Sequence, residues 1–291
     1  MDTSILQFFE QIRCPALTAF FAFFSAVGEE TVIAAVVAVI YVCFSRRAGE
    51  QALLTVLSAS CFTTGWKGAV RRTRPYAAGT VSLEEVDLPI VSTAESSLDA
   101  DMSFPSGHTS ASAAVFAQIP LQKKGNRLLW GAVSFLVVFL IACSRLYFGV
   151  HYPSDVFAGF VCGAAIAVLW HEIYAHAYAF RIQIFGILSL LAVPLLFIPA
   201  TATESMFRIL ALCLAAAAAL PLEQRFARIG DTNQWGRRVL RLLLTAAAAA
   251  VPFLPLYFLL PEGNWTTFFT YFAAVFSALF SAPLAIKKLR L

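Results

Sequence analysis

Residues 104–109 read FPSGHT, and the chain then runs apolar from Ala111 to Leu121 with few interruptions. The pair of features reads as the start of a helix. Ser106 can cap the first free backbone N–H groups, and Gly107 lets a ligand approach them closely. A helix N-terminus carries partial positive charge and unpaired donors, which suits an anion. His108 then stands beside that anion, able to give or take a proton. A capped helix with an incidental His accounts for the same residues, so the decision rests on the rest of the chain.

That chain has 291 residues, of which 59% are hydrophobic and 13% charged, with a mean hydropathy of +0.76. Soluble domains carry about a quarter charged residues. The expected fold is therefore all-α: a polytopic membrane helical bundle. The net charge is +4, but no basic stripe resembles a nucleic-acid surface, so no nucleic-acid partner is expected. Cys14, Cys43, Cys61, Cys143, Cys162 and Cys213 form no CxxC pair and no zinc spacing, and no disulfide, metal or cofactor is assigned to them. The opening MDTSILQFFEQIRC lacks a basic start ahead of its apolar part, so the first span, not a cleaved signal, is expected to direct insertion.

A crossing helix needs about 20 mainly apolar residues. About nine candidates are read, at 29–45, 50–66, 106–121, 128–147, 153–172, 184–200, 205–221, 240–260 and 266–286. In residues 3–27, Glu10, Arg13 and Pro15 interrupt a Phe-rich stretch, which reads as an interfacial helix rather than a tenth span. The chain thus divides into an N-terminal interfacial region (1–28), a helical core (29–180) and a four-span extension of unassigned role (181–291).

Loop charge sets orientation. Arg46 and Arg47, then Lys123, Lys124 and Arg127, then Arg181, then Arg225 through Arg241, then Lys287, Lys288 and Arg290 all fall on one side if nine spans hold. That side is expected to be cytoplasmic, with the C-terminus inside. Lys67, Arg71, Arg72 and Arg74 break the pattern by lying on the outer side, and binding an anion is the obvious reason. Arg145, Ser106 and His108 fall at the same face.

A further stretch, SRLYFGVHYPSD at 144–155, brings His151 and Asp155 together if a helix starts near Tyr152. Asp155 could then hold one nitrogen of His151 and leave the other as a nucleophile. An interfacial His with a capping Asp fits HYPSD alone. Taken together, two His, one carboxylate and the cations Lys67, Arg74 and Arg145 match the needs of phosphoryl transfer: a nucleophile, neutralised oxygens and an acid for the leaving oxygen. No acidic cluster offers a Mg²⁺ site there, so the residues point to a metal-independent route through phosphohistidine.

These stretches resemble the signature of the type-2 phosphatidic acid phosphatase family: KGAVRRTRP at 67–75, PSGH at 105–108 and SRLYFGVHYPSD at 144–155. PSGH or HYPSD singly would be weak; all three in order are not. The resemblance covers about residues 29–172. It implies that His151 is the nucleophile, Asp155 its orienting partner, and His108 the general acid and later base. Lys67, Arg74, Ser106, Gly107 and Arg145 would cradle the phosphate. The implied function is an integral-membrane lipid phosphatase, a metal-independent phosphoric ester or diphosphate hydrolase acting at the outer face of the cell membrane. Its partners would be membrane lipids and a phosphorylated lipid substrate: phosphatidate, phosphatidylglycerol phosphate or undecaprenyl diphosphate. A sugar-phosphate phosphatase of the glucose-6-phosphatase type, or a phospholipid transporter or scramblase, are the alternative readings. Haloperoxidases share the phosphate-site pattern, but those relatives are soluble.

Outside the signature, the loop 76–103 holds six acids, Glu84, Glu85, Asp87, Glu95, Asp99 and Asp101, and no Lys or Arg. It reads as a selectivity lid or as a solvated loop balancing nearby charge. Glu204 and Glu223 are expected at the interface. His171 and His176, with Glu172, read as part of an interfacial belt.

Overall fold

In the computed structural model, residues 2–86, 102–122 and 125–291 are described; Asp87, Glu95, Asp99 and Asp101 of the acidic loop, and Lys123 and Lys124, lie outside them. All the regular secondary structure of the described residues is helical. The helices are α1 (Asp2–Gln11), α2 (Pro15–Val27), α3 (Glu30–Val39), α4 (Arg46–Val70), α5 (Gly107–Phe116), α6 (Gln118–Gln122), α7 (Arg127–Tyr147), α8 (Pro153–His176), α9 (Arg181–Leu191), α10 (Glu204–Leu222), α11 (Trp235–Leu259), α12 (Asn264–Phe276) and α13 (Ala282–Lys288).

Among the described residues, six helical segments are long and apolar enough to cross a bilayer: 127–147, 153–176, 178–197, 204–227, 235–259 and 264–288. Counting α2 with the Glu30–Phe44 segment, across a 50° bend, gives at most seven. By length and composition the described residues thus do not reach the expected count of nine. The span read at 106–121 is two helices, α5 and α6, of ten and five residues. Its Ser, Thr and Ala face protein, not lipid: Thr109 through Val115 are all buried. The span read at 50–66 lies inside the 25-residue α4, whose charged residues at both ends dilute its hydropathy. Residues 3–27 are not one interfacial helix either. They break into α1 and α2 just ahead of Pro15, which takes the first position of α2, where its missing N–H costs nothing.

Two compact units share the chain: residues 1–35 with 62–171, and residues 36–61 with 172–291. In the first, α1, α2, α5 and α6 all pack on α7. Leu6 of α1 is buried with Val81, Ala142, Leu146 and Val156. Arg13 donates to the Tyr147 carbonyl from Nε at 3.1 Å, and to the Ser82 hydroxyl and carbonyl at 2.7 and 2.8 Å. Glu10 accepts from the Ser82 hydroxyl at 2.6 Å and from Ser82 N at 2.7 Å, and these two bonds hold its carboxyl below the usual range. The N-terminal helices are thus tied to the loop after the first motif and to the end of α7.

α5 reaches its place through small residues on α8. A Cβ on Gly159 would sit 2.5 Å from the Ser106 carbonyl, and one on Gly163 would overlap the Ser110 carbonyl. Close backbone approach of this kind is how small residues let membrane helices pack. Gly163→Leu is therefore expected to push α5 away and displace His108. A shift of about 1 Å can cost roughly 100-fold in rate. The comparison is phosphate release by purified Gly163→Leu against Gly131→Leu, since a Cβ on Gly131 meets nothing closer than 4.0 Å.

In the second unit, α10 packs on α9 and α12, and α11 on α12. Its centre is ionic. Glu50 and Glu223 are fully buried, and Arg181 nearly so. Glu50 is bonded by Arg181 Nε and accepts from the Tyr174 hydroxyl at 2.8 Å; Arg46 Nε donates to Glu223 at 3.0 Å. Glu223 is thus not interfacial, as expected from its position near a span end, but a buried partner of Arg46. Glu204 meets Thr267 in an exposed contact at 3.3 Å. His176 pairs with Glu172 at 3.3 Å, both largely exposed.

Candidate active site

Each of the three motif stretches ends or begins a helix in the first unit. Lys67 lies in the last turn of α4. The chain then turns at Arg71, which adopts a left-handed φ of 51°, and carries Arg74 inward. Arg74 is buried and donates to the carbonyl of Val150, the neighbour of His151, at 3.1 Å. α5 starts at Gly107 with Ser106 as its N-cap; the Ser106 hydroxyl accepts from Thr109 N at 3.5 Å. The expected helix start is therefore present. Open space lies in front of Gly107, where a Cβ would meet nothing within 4 Å. Ser106 N donates to the Asp155 carbonyl at 3.0 Å, which pins the second motif to the third.

Arg145 lies in the last turn of α7 and is buried. Its guanidinium donates to the Ser25 hydroxyl at 2.6 Å, while its Nε has no hydrogen-bond partner among the described residues. His151 follows in the short loop before α8 and is also buried. Burial pushes its pKa well below the ordinary imidazole value. Arg74, Arg145, Lys67 and His108 act in the same direction. Burial and these charges all disfavour the protonated form of the ring.

Asp155 departs from expectation. Its carboxylate is 3.7 Å from His151 Nδ1, too far for a hydrogen bond, and that buried nitrogen has no partner among the described residues. The reason is local. Asp155 is the third residue of α8, and Oδ2 reaches back to accept from Tyr152 N at 2.8 Å, the carboxylate half of a capping box. Its Oδ1 accepts from Arg72 at 2.7 Å. Arg72 also donates to the Ser154 hydroxyl at 2.7 Å, lies 3.5 Å from Asp2 and stacks 3.9 Å above the Tyr152 ring. In the sequence Arg72 stands out only as one of four cations on the outer side, between Lys67 and Arg74. Its place between Arg71 and Thr73, in a run of arginines, gives no sign that it pairs with Asp155.

The His with a bonded carboxylate is instead His108, whose Nε2 lies 2.9 Å from Glu29 Oε1. A cleft of about 530 Å³ lined by Arg13, Thr18 and Glu84 opens elsewhere, beside the corner of α1 and α2, and contains neither His. Among the described residues, no three His, Cys, Asp or Glu side chains cluster as a metal site.

Comparison with known proteins agrees with the motif reading. Residues 48–179 match the PAP2 superfamily, and residues 207–291 match the PAP2 superfamily phosphatase transmembrane extension. The chain belongs to the PAP2 superfamily and is a multi-pass membrane phosphatase of that family. The first match spans all three motifs; the second gives the C-terminal helices a family of their own. Among solved structures, LpxE from Aquifex aeolicus is 26% identical, over 58% of this chain and 93% of that one, with a TM-score of 0.46. The first transmembrane PAP2-type phosphatidylglycerolphosphate phosphatase from Bacillus subtilis is 20% identical, over 60% of this chain and 84% of that one, with a TM-score of 0.48. No curated protein matches the chain.

Proposed function

We propose that the protein removes phosphate from a phosphorylated membrane lipid through a phosphohistidine on His151, without a metal ion. The observation that carries this reading is the buried His151, with Nδ1 3.7 Å from Asp155 and Arg74 bonded to the carbonyl of the adjacent Val150; burial and the charges of Arg74, Arg145, Lys67 and His108 favour its neutral form. A neutral imidazole has a lone pair for attack, and the cations neutralise the equatorial oxygens it must approach. Nδ1 faces Asp155, so Nε2 is the attacking nitrogen. Catalytic hydrogen bonds are often long before substrate arrives and tighten in the complex. Asp155 closes its 3.7 Å gap to Nδ1 in that way and stabilises the charge that develops on the ring. His108 gives the leaving oxygen its proton, then takes one from the water that breaks the P–N bond. Ser106 and Gly107 present the N-terminus of α5 to the phosphate, and Arg74 and Arg145 hold it by their forks.

A lipid substrate fits the surroundings. The site sits where α7 ends and α8 begins, at one end of two apolar spans. Phe157, two residues beyond Asp155, is 69% exposed, and Val161 one turn on is 46% exposed. Side chains of this kind face acyl chains, so a headgroup can enter sideways while its tails stay in the bilayer. The excess of Lys and Arg in the loops expected on the other side supports a site on the outer face and a cytoplasmic C-terminus.

The test is phosphate release by the purified protein, with chelator present, from phosphatidate, phosphatidylglycerol phosphate, undecaprenyl diphosphate and glucose 6-phosphate. At least one lipid is expected to turn over at least ~10-fold faster than the sugar, because remote binding energy from the tails is spent at the reacting centre. Preference for the sugar, or dependence on added Mg²⁺, would overturn the reading.

A further inference from the structure

The two signature histidines differ in an unexpected respect: His108, not His151, is hydrogen-bonded to a carboxylate. Glu29 sits at the corner between α2 and α3, where the chain bends by 50°. That corner is pressed onto the site, since a Cβ on the preceding Gly28 would lie 2.7 Å from Ile141 and 3.4 Å from the Ser112 hydroxyl. The carboxylate thereby reaches His108 Nε2 at 2.9 Å, with both side chains about one-fifth exposed.

We infer that Glu29 is the positioning residue of the acid–base step, holding His108 with Nε2 donating to its carboxylate so that Nδ1 faces the leaving oxygen. The inference rests on the phosphatase reading above. A carboxylate only accepts, so Nε2 carries a proton and the ring is fixed in one orientation. When the P–O bond breaks, the proton on Nδ1 passes to the departing oxygen, and Nδ1 is left with the lone pair that later receives a proton from water. Nothing else is consumed. Burial, then the charge of Arg145 on α7, holds the His108 pKa below the ordinary imidazole value, and the negative charge of Glu29 opposes both in favour of the protonated ring. Glu30 at the start of α3 is the other acid acting on His108. No signature motif contains Glu29, and it lies 79 residues from its partner in the chain.

The experiment compares wild type, Glu29→Gln and Glu29→Asp on two soluble probes, dodecyl phosphate and p-nitrophenyl phosphate, with kcat/KM followed across pH. Alkoxide leaving needs a proton and nitrophenolate leaving does not. A general acid is worth about 10²–10⁴-fold, and Glu29→Gln forfeits the share that depends on ring orientation, about 10–100-fold on dodecyl phosphate. On p-nitrophenyl phosphate the loss is below about 3-fold, because that leaving group has little use for the acid. The basic limb of the dodecyl phosphate profile moves to lower pH, since the protonated ring has lost its counter-charge, and Glu29→Asp recovers part of both effects. Equal losses on the two probes with an unmoved basic limb would make Glu29 a packing residue and overturn the inference, as would an unchanged Glu29→Gln. Wild type that cleaves neither probe nor any lipid phosphate would instead overturn the phosphatase reading, and this inference with it.

Discussion

Replacing His151 with Ala is expected to lower lipid phosphate turnover by at least ~10⁴-fold while the substrate still binds. Removing the nucleophile of a covalent mechanism leaves only binding and electrostatic stabilisation, and in such cases about 10³–10⁴-fold of catalysis over water survives. The phosphate cradle proposed for Arg74, Arg145 and the N-terminus of α5 does not depend on the imidazole, so affinity for a lipid phosphate should change by less than about 10-fold. This separates an enzyme from a lipid carrier, for which binding and movement are the whole activity. The pH dependence follows from the same residue. Burial, then the neighbouring cations, holds the folded-state pKa of His151 below the ordinary value. The reactive neutral form is lost only as pH falls through that lowered value. The acidic limb of kcat/KM should therefore lie below the free-imidazole pKa of about 6.5. Phosphate release by His151→Ala near the wild-type rate would remove the nucleophile from the account.

The second large effect is on stability. Glu50→Ala should destabilise the protein by about 3–5 kcal/mol, the usual result of deleting one partner of a buried pair. Glu50 is fully buried, and its loss leaves the Arg181 guanidinium without a carboxylate and the Tyr174 hydroxyl without its acceptor. Arg46 would keep Glu223. In detergent, the midpoint of thermal unfolding should fall by roughly 6–20 °C, at about 2–4 °C per kcal/mol for chains of this size. Glu172→Ala, which removes an exposed pair with His176, should leave it unmoved. The double change Glu50→Leu with Arg181→Met should be milder than Glu50→Ala, because a buried pair replaced as a whole leaves no orphan charge. A midpoint for Glu50→Ala equal to that of Glu172→Ala would show that the network carries no stability.

The motif stretches were legible because their chemistry is local. PSGH announces a capped helix start, and Ser106 caps α5. HYPSD announces another, and Asp155 reaches back to Tyr152. The last six crossing segments were legible because each is long and apolar. The number of spans was not, because hydropathy scores what lipid tolerates. The segment 106–121 is enclosed by protein, so its Ser and Thr residues are no obstacle to burial and its length is no guide to crossing. The partners of the histidines and of the buried acids were not legible either. Glu29 meets His108, Arg72 meets Asp155 and Arg46 meets Glu223 across separations of 79, 83 and 177 residues. Nothing in the local pattern of a charged residue says which distant helix end it will face. Charge counting took Arg46 and Arg181 as orientation signals; both also neutralise carboxylates inside the second unit.

The central claim is that a phosphoryl group passes through His151. It is tested most directly by mixing the purified protein with a ³²P-labelled lipid phosphate, quenching within milliseconds under alkaline conditions and mapping the label. The account predicts an acid-labile, alkali-stable phosphoramidate on the peptide that carries His151, absent from His151→Ala. Turnover of the lipid with no labelled protein at any quench time, or label on another residue, would contradict it.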